Sequence, residues 1–533
     1  MIISKDNYRS TQSFIKGWIS FDNMYISSSK IIDLFFRAGG KIPIESEGRY
    51  IICKNSKHKI EINTDPMGQD ILFYYKYNDY WAISNSYHYL VSHLKNKKIR
   101  ISLSLSACCS FFLPGSYGNQ LISNSTLSNE IKMLSIDQKI VIDKKTKKIK
   151  VTRSNSAYKH IHANSKKGIM RINQWLSIWI SFIKTAVDNS EIISIDISGG
   201  RDSRIVLALI LASKVNLKKI KFISNPNAVD DFNIASMLAK EFNFQLNEKK
   251  REAQFYHISS EEKYTLWKAG ALGVYTPVYF PTKMSVTSDF HFHGGGGELH
   301  RHLFKRTPKE LYKFWVNHEK KHSCIENFSL LYDEFKQGIK DSNSHMNDCY
   351  GLDKHYFHFR NRLHFGRAWY KDIGKINLMP LSSRLLYSLK SMKIDSSIDD
   401  DFLISIILMF GSEKLVHIPF DSNKKEISQA AIQQAKNHID MITPNIDNVI
   451  FYESDNINSN KKDIKNKLEP QNRMRSFIEQ ELKSVKTIEK YCSKFSKESY
   501  NNALKDINKE SLSIKDSCKN AAFIISISET LME

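Results

Sequence analysis

The chain has 533 residues, 41% of them hydrophobic, and a formal net charge of +22. That length predicts two or three domains with sizeable cores, and no apolar run reaches the length of a membrane-spanning helix. Seven scattered cysteines (Cys53, Cys108, Cys109, Cys324, Cys349, Cys492 and Cys518) show no C-x-x-C spacing, which argues against a disulfide framework or a zinc ribbon and fits a reducing cytoplasm.

The start, Met1-Ile2-Ile3-Ser4-Lys5-Asp6, turns polar at once and does not read as a signal peptide. The basic excess is spread along the chain. Its densest stretches, Lys144-Lys145-Thr146-Lys147-Lys148 and Lys218-Lys219-Ile220-Lys221, read as solvated turns beside strands rather than as a nucleic-acid footprint.

In chain order, the first 150 or so residues are β-rich. Residues 50–53, 59–62, 71–75, 80–84 and 138–143 are short strand-like runs between turn residues, and residues 86–94 read as a helix. A polar, turn-rich linker spans residues 152–167. A helix follows in which Ile172, Leu176, Trp179, Ile180 and Ile183 fall on one apolar face.

Next comes the apolar run Ile192-Ile193-Ser194-Ile195-Asp196-Ile197, then Ser198-Gly199-Gly200-Arg201-Asp202-Ser203, then a run of helix formers from Ile205. This reads as strand, phosphate loop, helix. The glycines let backbone N–H groups approach a polyanion, and the helix dipole stands behind them. Ser198 and Ser203 add hydroxyl donors, and Asp202 can hold Mg²⁺. The G-x-x-x-x-G-K-[ST] spacing does not occur, so this is a different phosphate loop. A second short strand ends at Ser224-Asn225, followed by a helix with Asp230 and Asp231 in its first turn. Strand and helix in alternation predict a parallel sheet with ligands at the carboxyl ends of its strands.

Further on, Phe292-His293-Gly294-Gly295-Gly296-Gly297-Glu298-Leu299 places one carboxylate after a tetraglycine run. His291, His293, His300 and His302 cluster here without a zinc-site spacing. From residue 299 the chain reads as helical, with Trp315, Tyr332, Phe335, Phe365 and Trp369 as core; residues 456–467 read as a polar loop and residues 473–504 as helix.

The pattern S-G-G-x-D-S resembles the pyrophosphate loop of ATP pyrophosphatases. With Thr64-Asp65-Pro66-Met67-Gly68, then Trp81-Ala82-Ile83-Ser84-Asn85, then the segment around Leu127 and Leu134, the chain resembles the asparagine synthetase family. The resemblance implies an α/β protein of two domains and an extension. An N-terminal glutaminase-like Ntn-hydrolase sandwich spans residues 1–155 and a parallel-sheet PP-loop synthetase domain spans 168–440. A polar helical extension fills 441–533.

The family's glutaminases carry Cys at residue 2; here it is Ile2, so the glutaminase half is expected to be inert and the nitrogen to come from ammonia or an amine. The resemblance implies ATP and Mg²⁺ as cofactors and AMP-forming activation of a carboxylate, with free aspartate as the default substrate. Sugar uronates and peptides, as in lasso-peptide macrolactam synthetases, are further candidates. It places Ser198, Gly199, Gly200, Asp202, Ser203 and Ser224 on the nucleotide. Asp202 and Glu298 fall on the metal, and Lys424 or Lys425 on the charge at the α-phosphorus. His293 stands in for the base, because the family's base position is Gly here. A homodimer is compatible with this plan. Two other readings stay open: a PP-loop tRNA-modifying enzyme and a non-catalytic nucleotide-binding paralogue.

Overall fold

The strands of the first 153 residues pair antiparallel with one another, whereas the main sheet beyond residue 190 is parallel. The computed structural model describes residues 1–153, 160–189, 191–248, 254–256, 259–278, 284–286, 289–319, 328–366, 375–389, 397–453, 472–492, 495, 497–509, 512 and 514–531. Arg367, Trp369, Cys324, linker residues 154–159 and the loop expected at 456–467 lie outside the described residues.

The antiparallel half contains β1 (Ile2–Ser4), β2 (Phe14–Phe21), β3 (Met24–Ile26), β4 (Glu47–Asn55), β5 (Lys59–Thr64), β6 (Phe73–Tyr77), β7 (Tyr80–Ser84), β8 (Ile131–Met133), β9 (Gln138–Asp143) and β10 (Ile149–Arg153). One sheet runs β1-β7-β6-β8 and the other begins β10-β9-β5-β4-β2-β3. Side chains alternate across each strand. Ile51, Cys53, Ile60, Ile62, Ile140 and Ile142 therefore face inward and meet Leu72, Trp81 and Ile83 of the other sheet. On the opposite face Tyr50 and Ile52 pack with Ile32, Phe35 and Phe36 of α1 (Ser29–Arg37). Helix α2 (Tyr87–Asn96) is capped by Ser86, whose hydroxyl accepts the Tyr89 N–H at 3.4 Å. It covers the outer face of β6 and β7 and is followed by the short α3 (Leu105–Cys109). The result is a helix–sheet–sheet–helix stack.

Helix α4 (Lys166–Asp188) joins the halves. Its predicted apolar face is buried throughout, and Trp179 meets Trp18 of β2 edge-on at 6.1 Å between centroids. Then follow β11 (Ile193–Asp196), α5 (Arg201–Ala212), β12 (Ile220–Ile223), α6 (Val229–Glu241), β13 (Gln254–Tyr256), α7 (Ser260–Ala271), β14 (Met284–Val286), β15 (Phe290–Phe292) and β16 (Ile376–Leu378). Strands β12-β11-β15-β16 form one parallel sheet, while β13 and β14 pair antiparallel as a ribbon. Helices on both faces explain why β11 reads as a continuous apolar run.

Residues beyond 441 differ from the expected polar extension. Strand β17 (Ile450–Tyr452) adds in parallel to β3, at the edge of the N-terminal sheet. The helix Ile514–Thr530 buries Ala521, Ala522, Ile524, Ile525 and Ile527 in the core that also holds α2 and α7, and Tyr87 is hydrogen-bonded to Thr530 at 2.9 Å. The polar average of this region conceals that short apolar run. The helix expected over 473–504 is divided among Asn472–Leu482, Val485–Cys492 and Lys497–Ile507. Trp315 and Phe335 are core residues, whereas Tyr332 and Phe365 are partly buried. Among the described residues no helix is long and apolar enough to cross a membrane.

Candidate phosphate-binding site

Strand β11 ends at Asp196 and α5 begins at Arg201, so residues 197–200 form a turn at the carboxyl edge of the parallel sheet. Ser203, one turn into the helix, holds the turn closed. Its hydroxyl lies 2.9 Å from that of Ser198 and accepts the Ser198 N–H at 3.1 Å. The Gly200 N–H donates to the Ser198 hydroxyl at 3.2 Å, and the Gly199 N–H donates to Asp231 Oδ1 of α6 at 2.9 Å. Both amides thus point at side-chain oxygens that an incoming anion can replace. A Cβ at Gly199 would stand 2.6 Å from Asp421 Cβ, so this close approach of two loops excludes a side chain.

The tetraglycine run lies against the same turn. Added Cβ atoms at Gly294 and Gly297 would stand 2.8 Å from Asp202 Cβ and 2.2 Å from Asp202 Cγ. Gly296, at φ +90, takes the left-handed conformation that starts the short 3₁₀ turn Gly297–His300. Glycine therefore brings Glu298 to Asp202. Burial raises the carboxyls of both above the ordinary range, and the negative charge of Asp202 raises Glu298 further. Arg301, 3.3 Å from Asp202 Oδ2, opposes the shift at both, aided by Lys425 and Arg201 at Asp202 and by Arg360 at Glu298. Glu298 Oε2 is buried with no hydrogen-bond partner among the described residues.

Lys424 and Lys425 separate here. Lys424 is exposed. Lys425 is ion-paired with Asp421 at 2.6 Å, and its ammonium lies 4.0 Å from where a Cβ of Gly200 would be. Two arginines of α5 fix this segment. Arg201 donates to the carbonyls of Lys425 and Glu426 at 2.6 and 2.7 Å and pairs with Asp401 at 2.8 Å. Arg204, fully buried, donates to the carbonyls of Leu415, Ile418 and Pro419 and lies 3.8 Å over the Phe420 ring. Asp421 also keeps a buried oxygen, Oδ1, without a partner.

Ser224, at the carboxyl end of β12, is buried, and its hydroxyl has no partner. His293 accepts the Gly295 N–H at Nδ1, 3.2 Å away, so Nε2 carries the proton of the neutral ring. On the next-door strand positions, Ser194 is bonded to His291 Nδ1 at 2.8 Å, and His291 Nε2 lies 3.2 Å from Asp196 Oδ2. Burial acts to raise the Asp196 carboxyl, but the His291 bond and charge, with His293 and Lys375, hold it below the ordinary range. An ionised carboxylate therefore stands at the sheet edge beside the loop.

The predicted residues Ser198, Gly199, Gly200, Asp202, Ser203, Glu298 and Lys425 converge on one turn. Asp231, Asp196, Arg201, Arg204 and Arg301 join them without having been singled out from the sequence. Only Asp421, four residues before Lys425, left a local signal. Arg362 is buried on the carbonyls of Gly68, His358 and Leu134, away from this turn. Arg360 bonds to Gln120 at 3.2 Å from a π-helical turn. Among the described residues, no three His, Cys, Asp or Glu side chains form a metal-binding group, so Mg²⁺ here would rest on two carboxylates and on phosphate oxygens. No protein-family model matches the chain, and no curated protein matches its sequence.

Proposed function

We propose that the chain is an ATP-dependent, AMP-forming carboxylate–amine ligase of asparagine-synthetase type. The observation that carries this reading is the convergence of two glycine amides, the Lys425 ammonium and the Asp202–Glu298 pair on one helix-starting turn. The buried, unpartnered oxygens of Glu298 and Ser224 fit a site completed by a nucleotide and its metal.

In this scheme an oxygen of the substrate carboxylate attacks the α-phosphorus of ATP, and the P–O bond to the β-phosphate breaks. Pyrophosphate leaves into the turn, held by the amides of Gly199 and Gly200, the hydroxyls of Ser198 and Ser203, and the dipole of α5. Entry of the pyrophosphate displaces Asp231 from Gly199. Lys425 stands where negative charge grows on phosphate oxygens. Asp202 and Glu298 would hold Mg²⁺, which when bound neutralises the leaving group. Ser224 lies where the nucleoside half sits at the end of β12. An amine then attacks the acyl carbonyl, AMP leaves, and the nitrogen gives up a proton. Asp196 accepts that proton directly or through His293, whose Nδ1 becomes available when the Gly295 bond opens.

Phosphorus NMR of reactions holding ATP, Mg²⁺, an amine and a panel of carboxylic acids tests this. The scheme predicts AMP and pyrophosphate in equal amounts with at least one acid. ADP and phosphate with every acid tried would overturn it.

A further inference from the structure

The N-terminal sheet carries a groove that the ligase reading leaves unused. Helix α1 has nine residues and packs over β2 and β4, leaving the outer face of β5 and β9 uncovered. The resulting hollow of 360 Å³ is walled by Phe36, Ile42, Ile44 and Ile52. A second hollow of 410 Å³ shares Phe36 and Lys54 with it, so the two form one track. Ile44 remains 40% exposed on the rim.

The charge along this track is one-sided. Lys41, Lys54 and Arg384 line the first hollow, and Lys57 and Lys144 the second. The two acids on the lining are already neutralised: Glu61 by Lys139 and Lys59 at 2.7 and 3.1 Å, and Asp33 by Arg37 at 2.7 Å. Lys54 lies 4.9 Å over the Phe36 ring, so apolar and cationic surface are interleaved. Arg384 is 7% exposed and enters from the other half of the molecule. Its neighbour Ser383 is bonded to Glu47, and Ser382 lies against Gly296 of the tetraglycine run.

We propose that this groove binds an extended peptide segment in which acidic and apolar side chains alternate. Along an extended peptide each kind of side chain recurs every two residues, so both meet the interleaved cationic and apolar lining. Its carboxylates complement the excess lysines, and its apolar groups fill the Ile–Phe surface. A nucleic acid would use the lysines but leave the isoleucine wall wet, and base stacking calls for open aromatic faces.

Fluorescence anisotropy of the full chain with a short fluorescein-labelled peptide of alternating Glu and Leu tests the proposal. Saturable binding is expected, weakened about tenfold in Lys41→Glu/Lys54→Glu, the scale of a lost pair of charged contacts. Ile44→Asp, at an exposed position, weakens it as well. Lys218→Glu/Lys219→Glu, on an exposed turn of the parallel half, leaves it unchanged, and a peptide of alternating Lys and Leu does not bind. Equal losses in the two charge-reversal variants, no loss in the groove variants, or tighter binding of a single-stranded oligonucleotide that displaces the peptide would each overturn it.

Discussion

Two pairs of buried carboxylates, Asp65 and Glu47 under the antiparallel sheet and Glu298 and Asp421 beside the parallel one, are treated in opposite ways. In the antiparallel half, Asp65 accepts the N–H groups of Met67, Gln69 and Asp70, and Glu47 is bonded to Ser383. Asp65 is satisfied within its own turn and Glu47 by a hydroxyl from the other half, although the neighbouring Asp70 keeps a buried Oδ2 with no partner among the described residues. In the parallel half, Glu298 and Asp421 each keep a buried oxygen with no partner among the described residues, beside the amides of Gly199 and Gly200, which are bonded to side-chain oxygens. Unsatisfied buried oxygens cost stability; on the ligase reading, the metal and nucleotide would offset that cost at Glu298.

The sharpest way to break this contrast is Asp202→Asn. On the ligase reading it lowers pyrophosphate formation about 100- to 1,000-fold and leaves the fold intact by circular dichroism. Because burial holds Asp202 and Glu298 above the ordinary carboxylate range, Mg²⁺-dependent nucleotide binding strengthens as pH rises through their titration. Isothermal titration at several pH values reads this out. Next comes the lysine pair. Lys425→Ala costs about 100-fold in turnover, whereas Lys424→Ala changes it by about twofold or less; steady-state kinetics on the two variants would show equal losses if the lysines were interchangeable.

Arg204→Ala strips the carbonyls of Leu415, Ile418 and Pro419 of a buried donor and removes the Phe420 stack, and lowers stability by about 3 kcal/mol in denaturant unfolding. Glu47→Gln should give the smallest effect. Burial raises the Glu47 carboxyl to about 8 and that of Asp65 to about 7. Folding therefore favours their protonated forms. Their stabilisation is complete below the ordinary carboxylate range and is lost as pH rises through those values. The melting temperature falls by a few degrees on that rise, and Glu47→Gln flattens the fall. A melting profile identical to that of the unmodified chain would contradict it.

How much of this could be read from the sequence follows from chemistry and distance. The strand–turn–helix around residues 197–200 was legible because its glycines, hydroxyls and flanking apolar runs are contiguous. Strands β4, β5 and β9 and helix α4 were legible from period. Strands β2 and β3 and helix α1 were not, because Gly17 and the Asp22-Asn23 turn interrupt the pattern. Arg204 carries no local signal, since its carbonyl partners begin 211 residues away. Asp231 was visible as a helix-start carboxylate, yet its bond to Gly199 depends on the β11–β12 pairing in the sheet. The choice of Lys425 over its neighbour rests on the Asp421 pair, which a four-residue spacing allows, and on Arg201, which no local spacing fixes.

The central claim is tested most directly by ATP–pyrophosphate exchange across a panel of carboxylic acids, since the exchange reports activation without the amine being known. The account predicts label entering ATP with at least one acid for the unmodified chain and background incorporation for Asp202→Asn. Background incorporation for the unmodified chain with every acid, or equal incorporation in both proteins, would contradict it.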